Sequence, residues 1–134
     1  MPQLFSNDWL NELQTHWNNE PGVKERLADL DFNATVACGF KGDDNPIGVF
    51  VVEDGECVGC GAYNGEEPDW DMRASRKNWM KWVSKGIGLT GLGVACTTGK
   101  LEFVAGDYKE MIQNPKLGKA FAKALGLMKR IETE

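Results

Sequence analysis

Hydrophobic positions change period along this chain, and the changes divide it into elements. Trp9, Leu10, Leu13 and Trp17 recur at helical spacing, after Asn7 or Asp8 as a cap. Glu20-Pro21-Gly22 ends that helix, and Val23, Leu27 and Leu30 mark one face of a second. From Phe32 the period becomes two. Phe32, Ala34, Val36, Cys38 and Phe40 alternate with Asn33, Thr35, Ala37 and Gly39, the pattern of a strand with one buried face. Ile47 to Val52 is apolar on both faces, which places it inside a sheet. Asp54-Gly55 suits the positive φ of a tight hairpin, and Cys57 to Tyr63 is the strand that follows. Three such strands with short turns make an antiparallel meander.

Asp69 to Ser75 alternates again, and Ser75 caps a helix from Arg76 to about Lys85 that carries Trp79, Met80, Trp82 and Val83. Residues 86–93 hold four glycines among Ile87, Leu89 and Leu92, and read as a flexible, greasy loop. Lys100 to Ala105 is a last alternating strand, closed by Gly106 and by Asp107, a good cap for a short helix with Tyr108, Met111 and Ile112. Asn114-Pro115 restarts a helix to about Ile131, with Leu117, Phe121, Leu125 and Met128 as its apolar stripe.

The chain has 134 residues, enough for one domain with a core, and residues 1–134 read as a single domain. No apolar run approaches the roughly 20 residues that span a bilayer. The start lacks a signal-peptide pattern, so a cytoplasmic protein is expected. The net charge is −5, unevenly placed: residues 42–72 hold nine carboxylates and no Lys or Arg, whereas Lys109 to Arg130 is basic. An acidic chain is a poor nucleic-acid binder, because phosphate contacts dominate that affinity.

Candidate chemistry is sparse. Cys57-Val58-Gly59-Cys60 has C-x-x-C spacing, but residues three apart on a strand point to opposite faces, which disfavours a shared metal. Four free thiols, no metal and no cofactor are expected. Gly86, Gly88 and Gly91 match G-x-G-x-x-G literally, yet they follow a helix and lack a βαβ unit, so nucleotide binding is discounted. His16 is alone, with no Ser or Cys nucleophile beside it. No catalytic residues are assigned.

Asp69-Trp70-Asp71-Met72-Arg73-Ala74-Ser75 before a Trp79-bearing helix, followed by Gly99-Lys100-Leu101-Glu102-Phe103-Val104-Ala105-Gly106-Asp107, resembles the sterol carrier protein-2 family of lipid-binding domains, in its single-domain bacterial form. The long glycine-rich approach and the tryptophan-rich helix depart from the compact eukaryotic members. The resemblance implies an α+β fold: a five-stranded, mostly antiparallel sheet covered by helices that enclose an apolar tunnel. It also implies binding of a sterol, fatty acid or acyl-CoA without catalysis. On that reading the ligand-lining residues are Met72, Trp79, Met80, Trp82, Leu89, Leu92, Leu101, Phe103, Met111, Phe121, Leu125 and Met128, under a helical lid from Pro115 to Ile131. The unbranched methionines suit walls that admit varied lipid shapes.

The expected partners are a hydrophobic small molecule and, transiently, an anionic membrane surface; a homodimer is left open. Two other classes stay open. One is an interaction or dimerisation module using exposed tryptophans such as Trp9 and Trp17. The other is an accessory component of an enzyme with a hydrophobic substrate, with Asp107, Tyr108 or His16 as acid–base groups.

Overall fold

A computed structural model describes residues 2–133 apart from the side chain of Ile112, so the expectation for Ile112 lies outside the described residues. The chain runs through α1 (Asn7–Asn18), α2 (Pro21–Asp29), β1 (Ala34–Phe40), β2 (Gly48–Glu53), β3 (Glu56–Ala62), β4 (Trp70–Ala74), α3 (Arg76–Lys85), α4 (Leu89–Thr97), β5 (Glu102–Ala105), α5 (Tyr108–Gln113) and α6 (Pro115–Gly126), then a 3-10 turn over Leu127–Arg130. The five strands form one open sheet in the order β3-β2-β1-β4-β5. β1 and β4 are parallel and the other pairs antiparallel. The fold is therefore α+β with a mostly antiparallel sheet, as the resemblance implied. The meander is β1-β2-β3, and the chain returns to the far side of β1 to add β4 and β5.

The two sheet faces differ. Val36, Cys38, Phe50, Val52, Cys57, Met72 and Ala74 share the face under the helices and join their apolar residues in one core. Thr35, Ala37, Gly39, Val49, Val51, Asp71 and Arg73 share the other. Asp71 and Arg73 are each only 4% exposed there. Arg73 Nε and Nη2 donate to Asp71 Oδ1 and Oδ2 at 2.6 and 3.0 Å, and Arg73 Nη1 donates to Asp43 O at 2.8 Å. Two charges leave water together and satisfy each other, which is the condition for burying either.

Local chemistry sets the element ends. Asp54 and Gly55 have φ of 47° and 80°, as the tight hairpin requires. Ser75, Asp107 and Asn114 each accept a backbone N–H at a helix start, from Asn78, Lys109 and Leu117. The first cap is Ser6, not Asn7 or Asp8: Ser6 Oγ accepts from Trp9 N, while Asn7 Oδ1 accepts from Ala62 N on β3 and so fastens α1 to the sheet.

Two expectations are corrected. The glycine-rich stretch is not a loop throughout, because α4 begins at Leu89. Glycine disfavours a helix, but burial of Leu92, Ala95 and Cys96 in the core outweighs that preference. In β3, Val51 pairs with Gly59 and Val52 with Cys57, so Val58 is an extra residue and is 46% exposed. Beyond this bulge the alternation changes phase. Cys57 and Cys60 consequently share the helix-side face instead of facing opposite ways.

Candidate functional site

The residues expected to line a ligand site fall into one apolar cluster between the sheet and the helices. Met72, Trp79, Leu92, Leu101, Met111, Phe121, Leu125 and Met128 are buried in it, and Met80, Trp82, Leu89 and Phe103 pack against it half-buried. Each arrives by a different route. Met72 comes from the helix-side face of β4, opposite Phe103 of β5. Trp79 is held by its indole N–H, which donates to Gly39 O on β1 at 2.8 Å, and its ring meets Trp82 edge-on at 5.5 Å. Phe121 and Leu125 lie one turn apart on the buried side of α6.

At the β4–β5 edge the cluster reaches the surface through aromatic rings. Trp70 stands between Phe103 and Phe121, with ring centres 5.6 and 6.0 Å away, and Phe103 contacts Tyr108 at 5.8 Å. Trp70, Phe103 and Tyr108 are half-buried. Trp70 was not among the residues expected to line the site. Its ring lies against Gly106, a contact the sequence does not show, since Gly106 reads there only as a turn residue.

α6 packs its buried side on this cluster and is joined to α5 by Asn114 in an extended conformation and by Pro115. Glu20 ties α6 and the 3-10 turn to α2, through Lys123 Nζ at 3.7 Å and Arg130 Nη2 at 3.1 Å. The Arg130 hydrogen bond, helped by the Gly22 N–H and by Lys123, holds the Glu20 carboxyl below its ordinary range.

Groups that acid–base chemistry would need do not converge. His16 sits in the last turn of α1, which packs over β3 and β2. Asp107 and Tyr108 follow β5 at the opposite edge of the sheet. Asp107 Oδ1 is already engaged as a cap, accepting Lys109 N at 2.9 Å. The four cysteines are free thiols, three buried and Cys60 half-buried. Burial pushes the Cys57 thiol up to about 12, with Cys60 beside it adding to the effect, and pushes Cys96 up to about 11; Cys38 is raised further by burial. These are protonated, poorly nucleophilic thiols. Among the described residues no group of three or more His, Cys, Asp or Glu could hold a metal.

The tryptophan interface is also corrected. Trp9, Trp17 and Trp79 are fully buried, and Trp70 and Trp82 are half-buried, so no indole is offered as an exposed patch.

No family sequence model matches this chain, and no curated protein matches it. Among solved structures the chain is similar to a crystal structure of sterol carrier protein 2, with a TM-score of 0.79 and 17% identity, over 97% of this chain and all (100%) of that one. The chain has the sterol carrier protein-2 fold. It is likewise similar to the solution structure of a conserved hypothetical protein, possibly sterol carrier protein, from Thermus thermophilus (TM-score 0.65, 18% identity, 100% of this chain and 93% of that one). A third likeness is to UbiJ-SCP2, a ubiquinone synthesis protein (TM-score 0.59, 15% identity, 92% of this chain and 89% of that one). At these identities the sterol carrier protein-2 likeness concerns the backbone and its topology, and the side chains that fill it are this chain's own.

Proposed function

We propose that this protein binds and carries a hydrophobic ligand, of the fatty acid, acyl-CoA or sterol-like class, in the apolar space between the sheet and α6, without catalysis. The single observation that carries this reading is the sterol carrier protein-2 fold over 97% of the chain. The interior supports it chemically. The twelve lining candidates are apolar and contiguous, and four of them are methionines, whose unbranched chains re-pack around varied shapes. An acyl chain of about ten methylenes gains about 8 kcal/mol on leaving water, before ordering costs, so no charged anchor is required. Entry is proposed at the Trp70–Phe103–Tyr108 edge, with α6 moving on the Asn114-Pro115 joint. The half-buried aromatics there present an apolar threshold to solvent.

Native mass spectrometry after gentle purification tests the reading: a co-purified lipid mass is expected. A fluorescent fatty acid added in solution should bind with micromolar or better affinity, and Phe103→Glu should weaken that uptake while leaving the far-UV circular dichroism unchanged. No binding of any apolar probe and no co-purified ligand would overturn the proposal. A second reading is a domain that presents a hydrophobic substrate to an enzyme, favoured by the likeness to the ubiquinone synthesis protein. It predicts a co-purified prenylated aromatic compound and a protein partner, rather than free exchange of lipid.

A further inference from the structure

Both thiols of Cys57-Val58-Gly59-Cys60 face the helices, because Val58 is the extra residue of the β3 bulge. Cys57 stands opposite Val52 and Cys60 opposite Phe50, so the two are next neighbours along one face of the strand. β3 is the edge strand farthest from β5, which sets this pair apart from the Trp70–Phe103–Tyr108 edge. Amide side chains on α1 fasten the strand there. Asn18 Oδ1 accepts from Cys57 N at 2.9 Å, and Asn18 Nδ2 donates to Cys57 O at 2.8 Å. Gln14 Nε2 donates to the same carbonyl at 2.9 Å. The backbone of Cys57 is thus held at both of its polar groups. The thiols themselves are held weakly. Cys60 Sγ has Asn11 Oδ1 and Gln14 Oε1 each at 3.3 Å, and Cys57 Sγ donates only to Gly59 O at 3.6 Å.

Same-face neighbours on a strand stand about 6.5–7 Å apart, and their Cβ atoms point the same way. A disulfide needs Cβ atoms about 4 Å apart, so the sulfurs cannot join directly unless the backbone held by α1 moves. An ion between them meets no such obstacle. Two metal–thiolate bonds of about 2.3 Å span about 4.6 Å, which each sulfur reaches by leaning about 1 Å toward the other. The number of donors then selects the ion. Among the described residues no third His, Cys, Asp or Glu joins the pair. Zinc in a structural site takes four ligands, and calcium or magnesium takes oxygens. Copper(I) is soft, selects thiolate, and is satisfied by two of them in line.

We propose that Cys57 and Cys60 form a two-coordinate thiolate site for a soft cation of the copper(I) class. One Cu(I) replaces the two thiol protons, which leave to solvent, and gives a bis-thiolate of charge −1 with no change of oxidation state. Cys60 is half-buried and meets the ion first; Cys57, 2% exposed, closes on it from the core side. Burial raises both thiols, so the ion displaces their protons instead of finding them already lost. Asn11 is exposed and free to turn its Nδ2 toward the Cys60 sulfur once that sulfur has no proton to donate. The site stands independently of the carrier reading, at the other edge of the sheet.

The test titrates the full, reduced chain with copper(I) in the absence of oxygen, against a chromophoric copper(I) chelator. One ion per chain is expected, with two sulfurs as its only protein donors by X-ray absorption. Because two protons leave, the apparent affinity should rise about a hundred-fold per pH unit near neutrality. Cys60→Ser and Cys57→Ser should each lower affinity by more than about a hundred-fold, the upper cost of losing a mere outer-shell partner. Cys96→Ser should lower it little. Cys60 is half-buried, so its replacement leaves the core intact even if Cys57→Ser misfolds. Tight binding retained in Cys60→Ser, an equal loss in Cys96→Ser, or zinc held as tightly as copper(I) would each overturn the proposal. So would a Cys57–Cys60 disulfide formed in the folded chain by oxidised glutathione, because the sulfurs would then meet directly and the pair would belong to redox chemistry.

Discussion

Gly106 lies against the indole of Trp70 so closely that a Cβ there would fall 2.7 Å from Trp70 Cε3 and 3.0 Å from Asp69 O. Its φ is also +94°. Two requirements thus meet at the joint between β5 and α5, a left-handed backbone and the absence of a side chain, and both serve to seat Trp70 between Phe103 and Phe121.

Replacement of Gly106 by alanine separates these requirements when paired with Gly99→Ala. Gly99 has φ of +77° but open space where its Cβ would stand. Gly99→Ala should cost about 1 kcal/mol, the backbone penalty alone. Gly106→Ala adds a clash with backbone and a packed ring and should cost about 2–4 kcal/mol. Urea denaturation of both variants checks this; equal losses would mean that Trp70 moves freely aside.

Gly93→Ala should act in the opposite direction. Gly93 is inside α4, its φ is ordinary for a helix, and nothing lies within 4 Å of an added Cβ. A helix-interior glycine costs about 0.5–1 kcal/mol relative to alanine, so the stability read from thermal and urea unfolding should rise by that amount. No rise would show that α4 is not helical in solution.

The same helix shows what a sequence can reveal of this fold. Strands and all caps but the first were legible because their signals are local: alternation at Phe32 to Phe40, Asp54-Gly55 at the hairpin, and Ser75, Asp107 and Asn114 ahead of their helices. α4 was not legible, because glycines at 88, 91 and 93 argue against a helix and only its docking on the core decides otherwise. The Val58 bulge was hidden for a related reason. A phase change in pairing depends on the partner strand, so the shared face of Cys57 and Cys60 could not be read from their spacing. The apolar composition of the candidate site was legible residue by residue. Its edge at Trp70 was not, since that contact joins β4, β5 and α6.

The Asp71–Arg73 pair should be strongly asymmetric to mutation. Asp71→Leu leaves a guanidinium buried with one backbone acceptor, Asp43 O, and should cost about 3–5 kcal/mol. Combining it with Arg73→Met should recover most of that loss, because the double change removes two desolvated charges together. Denaturation of the two single variants and the double variant forms the cycle. A double variant no better than Asp71→Leu would assign the pair a structural role beyond mutual charge satisfaction.

The thiols predict an alkaline loss of stability. Cys57 and Cys96 have ordinary values of 9.0 when unfolded, and burial raises them to about 12 and about 11 in the folded chain. Below pH 9 both states keep the proton and the thiols add no pH dependence. Above pH 9 the unfolded chain ionises while the folded one cannot, so the unfolded state binds fewer protons and stability falls as pH rises. The fall continues to about pH 11 for Cys96 and about pH 12 for Cys57. Urea midpoints at about pH 8 and about pH 10, either side of the unfolded thiol value, measure it. Cys96→Ala and Cys57→Ala should each flatten the slope, whatever they do to stability at the lower pH. Unchanged slopes in both variants would place the alkaline sensitivity elsewhere, in the Cys38 and Cys60 thiols that burial also raises.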